Sequence, residues 1–319
     1  VDVVTYEFEN VPVDCARRLA ETHMVRPTPR ALEVSQDRLD EKHFLRSHGV
    51  ATADFLPVGS RSALQAAAED LGLPAVLKTR RHGYDGRGQI VLHEGADIDA
   101  AWSALHSAPS ILESFVPFRR ELSLVVARAG DGRIAAYPLV ENVHRNGILH
   151  LTKAPATGLH GDEQRRAEEH ARVLLEALDY VGVLSIEWFE LEDGSLVANE
   201  IAPRVHNSGH WTIEGARTSQ FANHVRAIAG LPLGSTDRQG SAGMVNADGE
   251  RAGRVDGACR CRPRPRLSAP AQRIISPPFT RRLWPVTLRI RSDANSRAAS
   301  ATSSSGTIRP SGIRRVISA

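Results

Sequence analysis

The chain has 319 residues, 24% of them charged and 5% aromatic, with a formal net charge of +3. Its length supports two domains with sizeable cores. No run approaches the ~20 apolar residues of a membrane span, and no signal-peptide pattern is visible. The cysteines, Cys15, Cys259 and Cys261, have neither metal-ligand spacing nor a disulfide framework; this excludes a stapled secreted scaffold and fits a reducing, cytoplasmic compartment. The charge is segregated: residues 251–319 hold 15 Arg, no Lys and 2 acidic residues, or +13, which leaves −10 for residues 1–250.

Val1 to Tyr6 reads as a short buried parallel strand, with Glu7, Glu9 and Asn10 at its carboxyl end, where α/β proteins place ligands. Because the chain begins inside that run, an upstream segment is expected. Val13 to Glu21 continues as a helix, and Ser35 to His48 as another, closed by Gly49. Arg38 lies in the first turn of the second helix, where the dipole disfavours a cation. Meeting an anion would explain it, and so would an exposed surface arginine. Ser62 to Leu71 is an alanine-rich helix stopped by Gly72 and Pro74.

Ala75 to Lys78 and Gln89 to Leu92 read as strands joined by Gly83-Tyr84-Asp85-Gly86-Arg87-Gly88. Three glycines in six residues let a backbone approach phosphate oxygens, although the spacing is not that of a Walker loop. A flap over a nucleotide, with Lys78 beneath it, is one reading; a plain flexible hairpin is the other. Asp97 caps a helix to Leu105. Ser110 to Val116, Glu121 to Arg128 and Ala135 to Val140 read as strands, with Glu141, Asn142 and His144 beyond them. A lone histidine such as His144 is more often a structural residue than a ligand. Asp162 caps a long helix that turns Ala167, Ala171, Leu174, Leu175 and Leu178 inward. The helix from Ser219 to Ala229 is read with Phe221, Val225 and Ile228 inward.

The run from Val183 to His210 organises the rest. Val183 to Leu191 and Leu196 to Ile201 are strands around Glu192-Asp193-Gly194-Ser195, with Asp193-Gly194 suited to a two-residue type I′ turn. If Glu192 faces Ser195, Glu187 lies directly across from Glu200. The opposite face, Leu184, Ile186 and Trp188 against Val197 and Ile201, is apolar. Opposed like charges are unfavourable, and a divalent cation shared with substrate phosphates would remove the conflict; a solvated face with two ordinary glutamates is the alternative. Arg204, His206 and His210 follow at once, and Arg204 suits a carboxylate or phosphate.

After about Thr236 periodicity is lost and Arg, Ser, Pro and Ala dominate. Such a segment cannot bury enough apolar surface to fold alone. It is read either as a basic tail for nucleic acid or as the product of a reading-frame change.

Together these segments resemble the ATP-grasp carboxylases of purine biosynthesis, the N5-carboxyaminoimidazole ribonucleotide synthase family. The resemblance covers about residues 1–236 and is dense in Thr5 to Pro12, Lys78 with Gly83 to Gln89, Tyr137-Pro138 with Glu141, Asn142 and His144, and Asn199 to His210, with Trp211 and Gln220-Phe221 beyond. It implies an α/β (α+β) protein: a Rossmann-like pre-ATP-grasp remnant over 1–30, an ATP-grasp domain over 31–236 with its flap-bearing part at about 75–140, and a disordered or non-native tail over 237–319.

The resemblance assigns Arg38 and Lys78 to ATP phosphates, with Gly83, Tyr84, Asp85, Gly86, Arg87, Gly88 and Gln89 closing over them. It puts Glu113, Ser114, Phe115 and Val116 along the adenine and Glu121 on the ribose. His144 and Asn199 complete the nucleotide site, and Glu187 and Glu200 hold Mg²⁺. Tyr84, Asp85, Arg204 and His206 face bicarbonate and aminoimidazole ribonucleotide, with Asp85 or His206 as general base. The implied reaction is bicarbonate attack on the γ-phosphate of ATP to give carboxyphosphate, then carboxylation of the amine. A homodimer is implied; neither a membrane nor nucleic acid is an expected partner.

Two departures from the family are visible. Its upstream glycine-turn segment is absent, and beyond Met244-Val245-Asn246 the C-terminal β-rich domain that reaches the ribonucleotide phosphate is not recognisable. The rival readings are another ATP-grasp ligase, such as a formate-dependent purine transformylase or a biotin-type carboxylase, and an inactive fragment with a nucleic-acid-binding tail.

Overall fold

A computed structural model of the protein describes residues 1–83, 86–159, 161–246 and 286–289. The chain opens with α1 (Val13–Ala20), α2 (Pro29–Ser35) and α3 (Arg38–Ser47). A four-stranded antiparallel sheet follows, built from β1 (Phe55–Val58), β2 (Ala75–Thr79), β3 (Gln89–Leu92) and β4 (Ser110–Ser114) in the order β1-β4-β2-β3. Helices α4 (Arg61–Leu71) and α5 (Ile98–Ala104) close a small core against it, with Leu64, Leu77 and Leu112 fully buried.

The larger sheet contains β5 (Arg120–Arg128), β6 (Ile134–Ala136), β7 (Val140–Arg145), β8 (Ile148–Ala154), β9 (Gly182–Glu190), β10 (Leu196–Ala202), β11 (Ala242–Val245) and β12 (Val286–Arg289). Its order is β10-β9-β5-β7-β8-β11-β12, with β6 beside β5. One face packs on α3 and on α6 (Asp162–Ala177) through Leu45, Ala171, Leu174, Ile186 and Trp188. Each such large side chain removed from water contributes roughly 1.5–3 kcal/mol. The other face gathers Val125, Tyr137, Val183, Trp211 and Met244, under α7 (Thr212–Gly215) and α8 (Gln220–Ile228). Among the described residues no helix is long and apolar enough to cross a membrane.

Several sequence expectations are corrected. Val1 to Tyr6 forms a single parallel bridge, Val4 to Val25, rather than a full strand. The helix expected over Ser35–His48 begins at Arg38, with Ser35 closing α2 instead, because Asp37 takes an extended backbone and caps α3 by accepting from the Leu39 N–H. The strand expected over Ala135–Val140 breaks at Tyr137-Pro138, between β6 and β7. Gly161, not Asp162, occupies the N-cap of α6. On α8 the apolar stripe faces out: Val225 is 58% exposed and Phe221 and Ile228 are half-buried, while Gln220, Asn223 and His224 are buried. Polar partners decide that orientation. Asn223 bonds the Tyr137 hydroxyl and Gly234, and His224 bonds Thr5 and the Val183 N–H.

The tail boundary also moves. Residues 237–246 continue the fold, through an Ala216–Arg238 bridge and β11 beside β8. The backbone of β12 pairs with β11. The rest of the expected tail, 247–285 and 290–319, lies outside the described residues.

Candidate active site

The hairpin of β9 and β10 arrives at the expected carboxylate pair by an unexpected route. Leu191, not Glu192, sits opposite Ser195: its N–H donates to the Ser195 carbonyl at 2.9 Å, and the Gly194 N–H donates to the Leu191 carbonyl at 3.0 Å. The turn therefore has three residues, ending on Gly194 at φ +77°, a conformation glycine adopts without steric cost. Leu196 pairs with Glu190, Val197 with Phe189 and Ala198 with Trp188, one residue away from the expected register. A β-bulge at Asn199 absorbs one residue, after which Glu200 pairs with Glu187 and Ile201 with Ile186. The two offsets cancel. The core face of β10 is accordingly Leu196, Ala198 and Ile201, and Val197 is displaced to the other side.

Glu187 and Glu200 open into a cleft of about 270 Å³ between the two sheets. Arg38, the first residue of α3, donates to Glu200 Oε2 at 2.8 Å. Burial disfavours ionisation of Glu200, but this guanidinium outweighs it and holds the carboxyl below its ordinary range. Among the described residues no guanidinium meets Glu187; burial, reinforced by Glu200, pushes its carboxyl up against the opposing pull of His144 and an Asn199 hydrogen bond. His206 Nε2 lies 3.3 Å from Glu187 Oε1. Its Nδ1 receives the Ser208 N–H at 3.3 Å, which assigns the ring proton to Nε2, facing Glu187. Burial lowers the His206 imidazole to about 3, so this ring is neutral.

The other wall is set by β2 and β4. Lys78 Nζ donates to Glu113 Oε2 at 2.8 Å and lies 3.4 Å from Asn199 Oδ1. Burial would push the Glu113 carboxyl up; the ammonium groups of Lys78 and Lys42 more than reverse this, holding it at about 2. Arg80, at the base of the glycine loop, grips Asp37 through two bonds of 2.8 Å, tying the loop to the start of α3. Glu121 on β5 pairs with His144 on β7 across the floor; burial disfavours charge on His144, and Glu121 outweighs it and raises its pKa.

The structure thus brings Arg38, Lys78, Glu187, Asn199 and Glu200 to one cleft. Gly83, Gly86, Arg87 and Gln89 line its roof, and Glu121, His144, Arg204 and His206 its remaining sides. Gly88 lies behind the roof, against Thr79. Tyr84 and Asp85 lie outside the described residues. Of the segment expected along the adenine, Glu113 is buried against Lys78 and Phe115 is 44% exposed, and none of Glu113, Ser114, Phe115 and Val116 is among the residues lining this cleft. The fork of Arg204 is engaged by Glu9 Oε2, at 3.0 and 2.9 Å.

Residue-by-residue reading missed Glu41 and Lys42, both buried on α3, and the part played by Gln220. Gln220 accepts from the His206 N–H and donates to the His206 carbonyl, at 3.0 and 2.7 Å. A pair of oppositely charged residues on the inner face of a helix, Glu41-Lys42, is the signal that was available. Among the described residues no group of three or more His, Cys, Asp or Glu is placed to hold a metal by itself.

Comparison with known proteins identifies the family. The ATP-grasp domain family matches residues 43–221, and the ribonucleotide synthetase preATP-grasp domain family matches residues 1–36. The N5-carboxyaminoimidazole ribonucleotide synthase of Pseudomonas aeruginosa is 53% identical over 246 residues, covering 77% of this chain and 67% of that protein. The crystal structure of the synthetase from Thermus thermophilus is 52% identical, with a TM-score of 0.73 over 77% of this chain and 66% of that one. The Aspergillus clavatus synthase, solved in complex with ADP and 5-aminoimidazole ribonucleotide, is 34% identical, with a TM-score of 0.72 over 77% and 65%. The chain spans about two thirds of the length of these relatives. It belongs to the N5-carboxyaminoimidazole ribonucleotide synthase family, ATP-dependent ligases of the ATP-grasp fold.

Proposed function

We propose that this chain carries the family's reaction: ATP-dependent carboxylation of aminoimidazole ribonucleotide with bicarbonate, through carboxyphosphate, to N5-carboxyaminoimidazole ribonucleotide, ADP and phosphate. The observation that carries the reading is the Glu187–Glu200 pair, set by ladder register into a cleft that also holds Lys78 and Arg38. Phosphoryl transfer depends on charge compensation and alignment more than on covalent help from the protein. Lys78 and Arg38 supply positive charge for the ATP phosphates, and the backbone of Gly83 and Gly86, which lines the roof, covers them and excludes water from a short-lived acyl phosphate.

The donor set fits Mg²⁺: two opposed carboxylates, one of them destabilised by burial, are what an ion completed by substrate phosphates requires. Glu187 and Glu200 would hold it, and when bound it supplies charge neutralisation at the transferring phosphate. His206, with Nε2 3.3 Å from Glu187 Oε1, stands beside this carboxylate. Arg204, braced by Glu9, presents its face to bicarbonate. Glu121 and His144 close the nucleotide end, and the assembly is a homodimer.

Phosphate release with bicarbonate or with formate, each with and without aminoimidazole ribonucleotide, tests the assignment. Release that needs bicarbonate and rises with the ribonucleotide is expected. Release that needs formate would move the chain to the transformylases. Failure to bind ADP by calorimetry would leave the inactive-fragment reading.

A further inference from the structure

The bulge in β10 has a cause in α3. An extra residue in one strand leaves backbone groups off the ladder, and buried groups of that kind need partners. Lys42, 1% exposed, donates from Nζ to the Asn199 carbonyl at 2.8 Å. The Ile201 N–H donates to Glu41 Oε1 at 2.6 Å. Arg38, one turn earlier, meets the Glu200 carboxylate between them. Three consecutive residues of β10 are therefore gripped by one turn of one helix. The charge on Lys42 is balanced by Glu113 Oε2 at 3.3 Å, the same oxygen that receives Lys78.

Burying a glutamate and a lysine costs several kcal/mol of desolvation, and an apolar pair would hold a helix on a strand more cheaply. What an apolar pair could not do is satisfy the two backbone groups that flank Glu200. We propose that Glu41 and Lys42 are positioning residues: they hold the bulge, and with it the register that sets Glu200 opposite Glu187. The proposal rests on reading those two carboxylates as a Mg²⁺–nucleotide site.

The test is calorimetry of ADP on the full chain, with Mg²⁺ and with EDTA, reading the ratio of the two affinities. Lys42→Met and Glu41→Met each lower that ratio about tenfold, the scale expected when a group that orients a metal ligand is lost. Glu41→Gln, which keeps an acceptor for the Ile201 N–H, retains most of it. In a Glu200→Ala background Lys42→Met lowers it no further, because both changes act through one contact. An unchanged ratio in folded Lys42→Met and Glu41→Met proteins overturns the proposal, as does an equal further loss in the Glu200→Ala background. Should Lys42→Met fail to fold, Glu41→Met against Glu41→Gln decides. An unmodified chain whose ADP affinity ignores Mg²⁺ overturns the metal reading instead, and the clamp falls with it.

Discussion

The two sheets build opposite kinds of wall around the cleft. On the large-sheet side the polar groups sit on strands and meet named side chains: Arg38 holds Glu200, His206 faces Glu187, and Lys42 and Lys78 hold the carbonyl and amide oxygens of Asn199 at the bulge. On the small-sheet side the roof carries glycines beside Arg87 and Gln89, and at Gly86 its contact is backbone on backbone. A Cβ on Gly86, at φ +73°, would lie 2.9 Å from the Asn146 carbonyl oxygen and from Gly147 Cα, in the turn between β7 and β8. The contrast shows what each wall is for. Charge that must be placed to a fraction of an ångström is set on strands, while at Gly86 the cover gives up a side chain so that its backbone can come close.

Three changes break or sharpen that contrast. The largest effect is expected at the rigid wall. Glu187→Gln should lower bicarbonate-dependent phosphate release by roughly 10²–10³-fold and raise the thermal midpoint by about 2–4 °C, since it removes one of two opposed like charges. Steady-state kinetics and a melting curve on one sample check both.

Acid attacks the same wall from behind. Burial lowers the His224 imidazole to about 4, from an ordinary value of ~6.5 in the unfolded chain. The folded state thus refuses a proton that the unfolded state accepts. Its stabilising share is complete above about pH 6.5 and is lost as the pH falls toward 4, reaching about 3 kcal/mol. Urea midpoints between pH 7 and 4 should fall steeply, and His224→Gln should flatten that slope.

The smallest effect belongs to the cover. Gly86→Ala is expected to raise the KM for ATP about tenfold, because a left-handed alanine costs ~1–2 kcal/mol and its methyl meets backbone. It should move the melting midpoint by less than about 2 °C, since a loop contributes little to the global transition.

How much of this was legible in sequence varies with the range of the forces involved. The strand pair around Glu192 to Ser195 was legible from turn residues and alternation, and so was the Glu187–Glu200 pairing. The turn length was not: Asp193-Gly194 serves a two-residue turn and a three-residue turn equally well, and only the bulge at Asn199 restores the pairing. That bulge depends on Glu41 and Lys42, about 160 residues away along the chain; an inward charged pair on a helix is a signal, but it does not say which strand the pair meets. The same limit explains α8. Its apolar stripe was read as the inner face by periodicity, yet Asn223 and His224 find specific partners on Tyr137, Gly234, Thr5 and Val183, and those bonds turn the helix over. Periodicity sees hydrophobic burial, not the satisfaction of distant donors. Grouping Lys78, the glycine loop and the carboxylates into one cleft came from resemblance to a family, since nothing in their spacing alone brings them together.

The amide of Gln220 carries one more consequence. By taking the N–H of His206 and giving back to its carbonyl, it acts as one rung of a missing neighbouring strand, and Gly209 leaves it room, since a methyl there would fall 2.4 Å from Gln220 Oε1. The segment after β10 looks like a loop by backbone shape but is fastened like sheet. The histidine that faces Glu187 therefore moves only if the start of α8 moves with it, so a change on the outer helix is felt at the carboxylate pair.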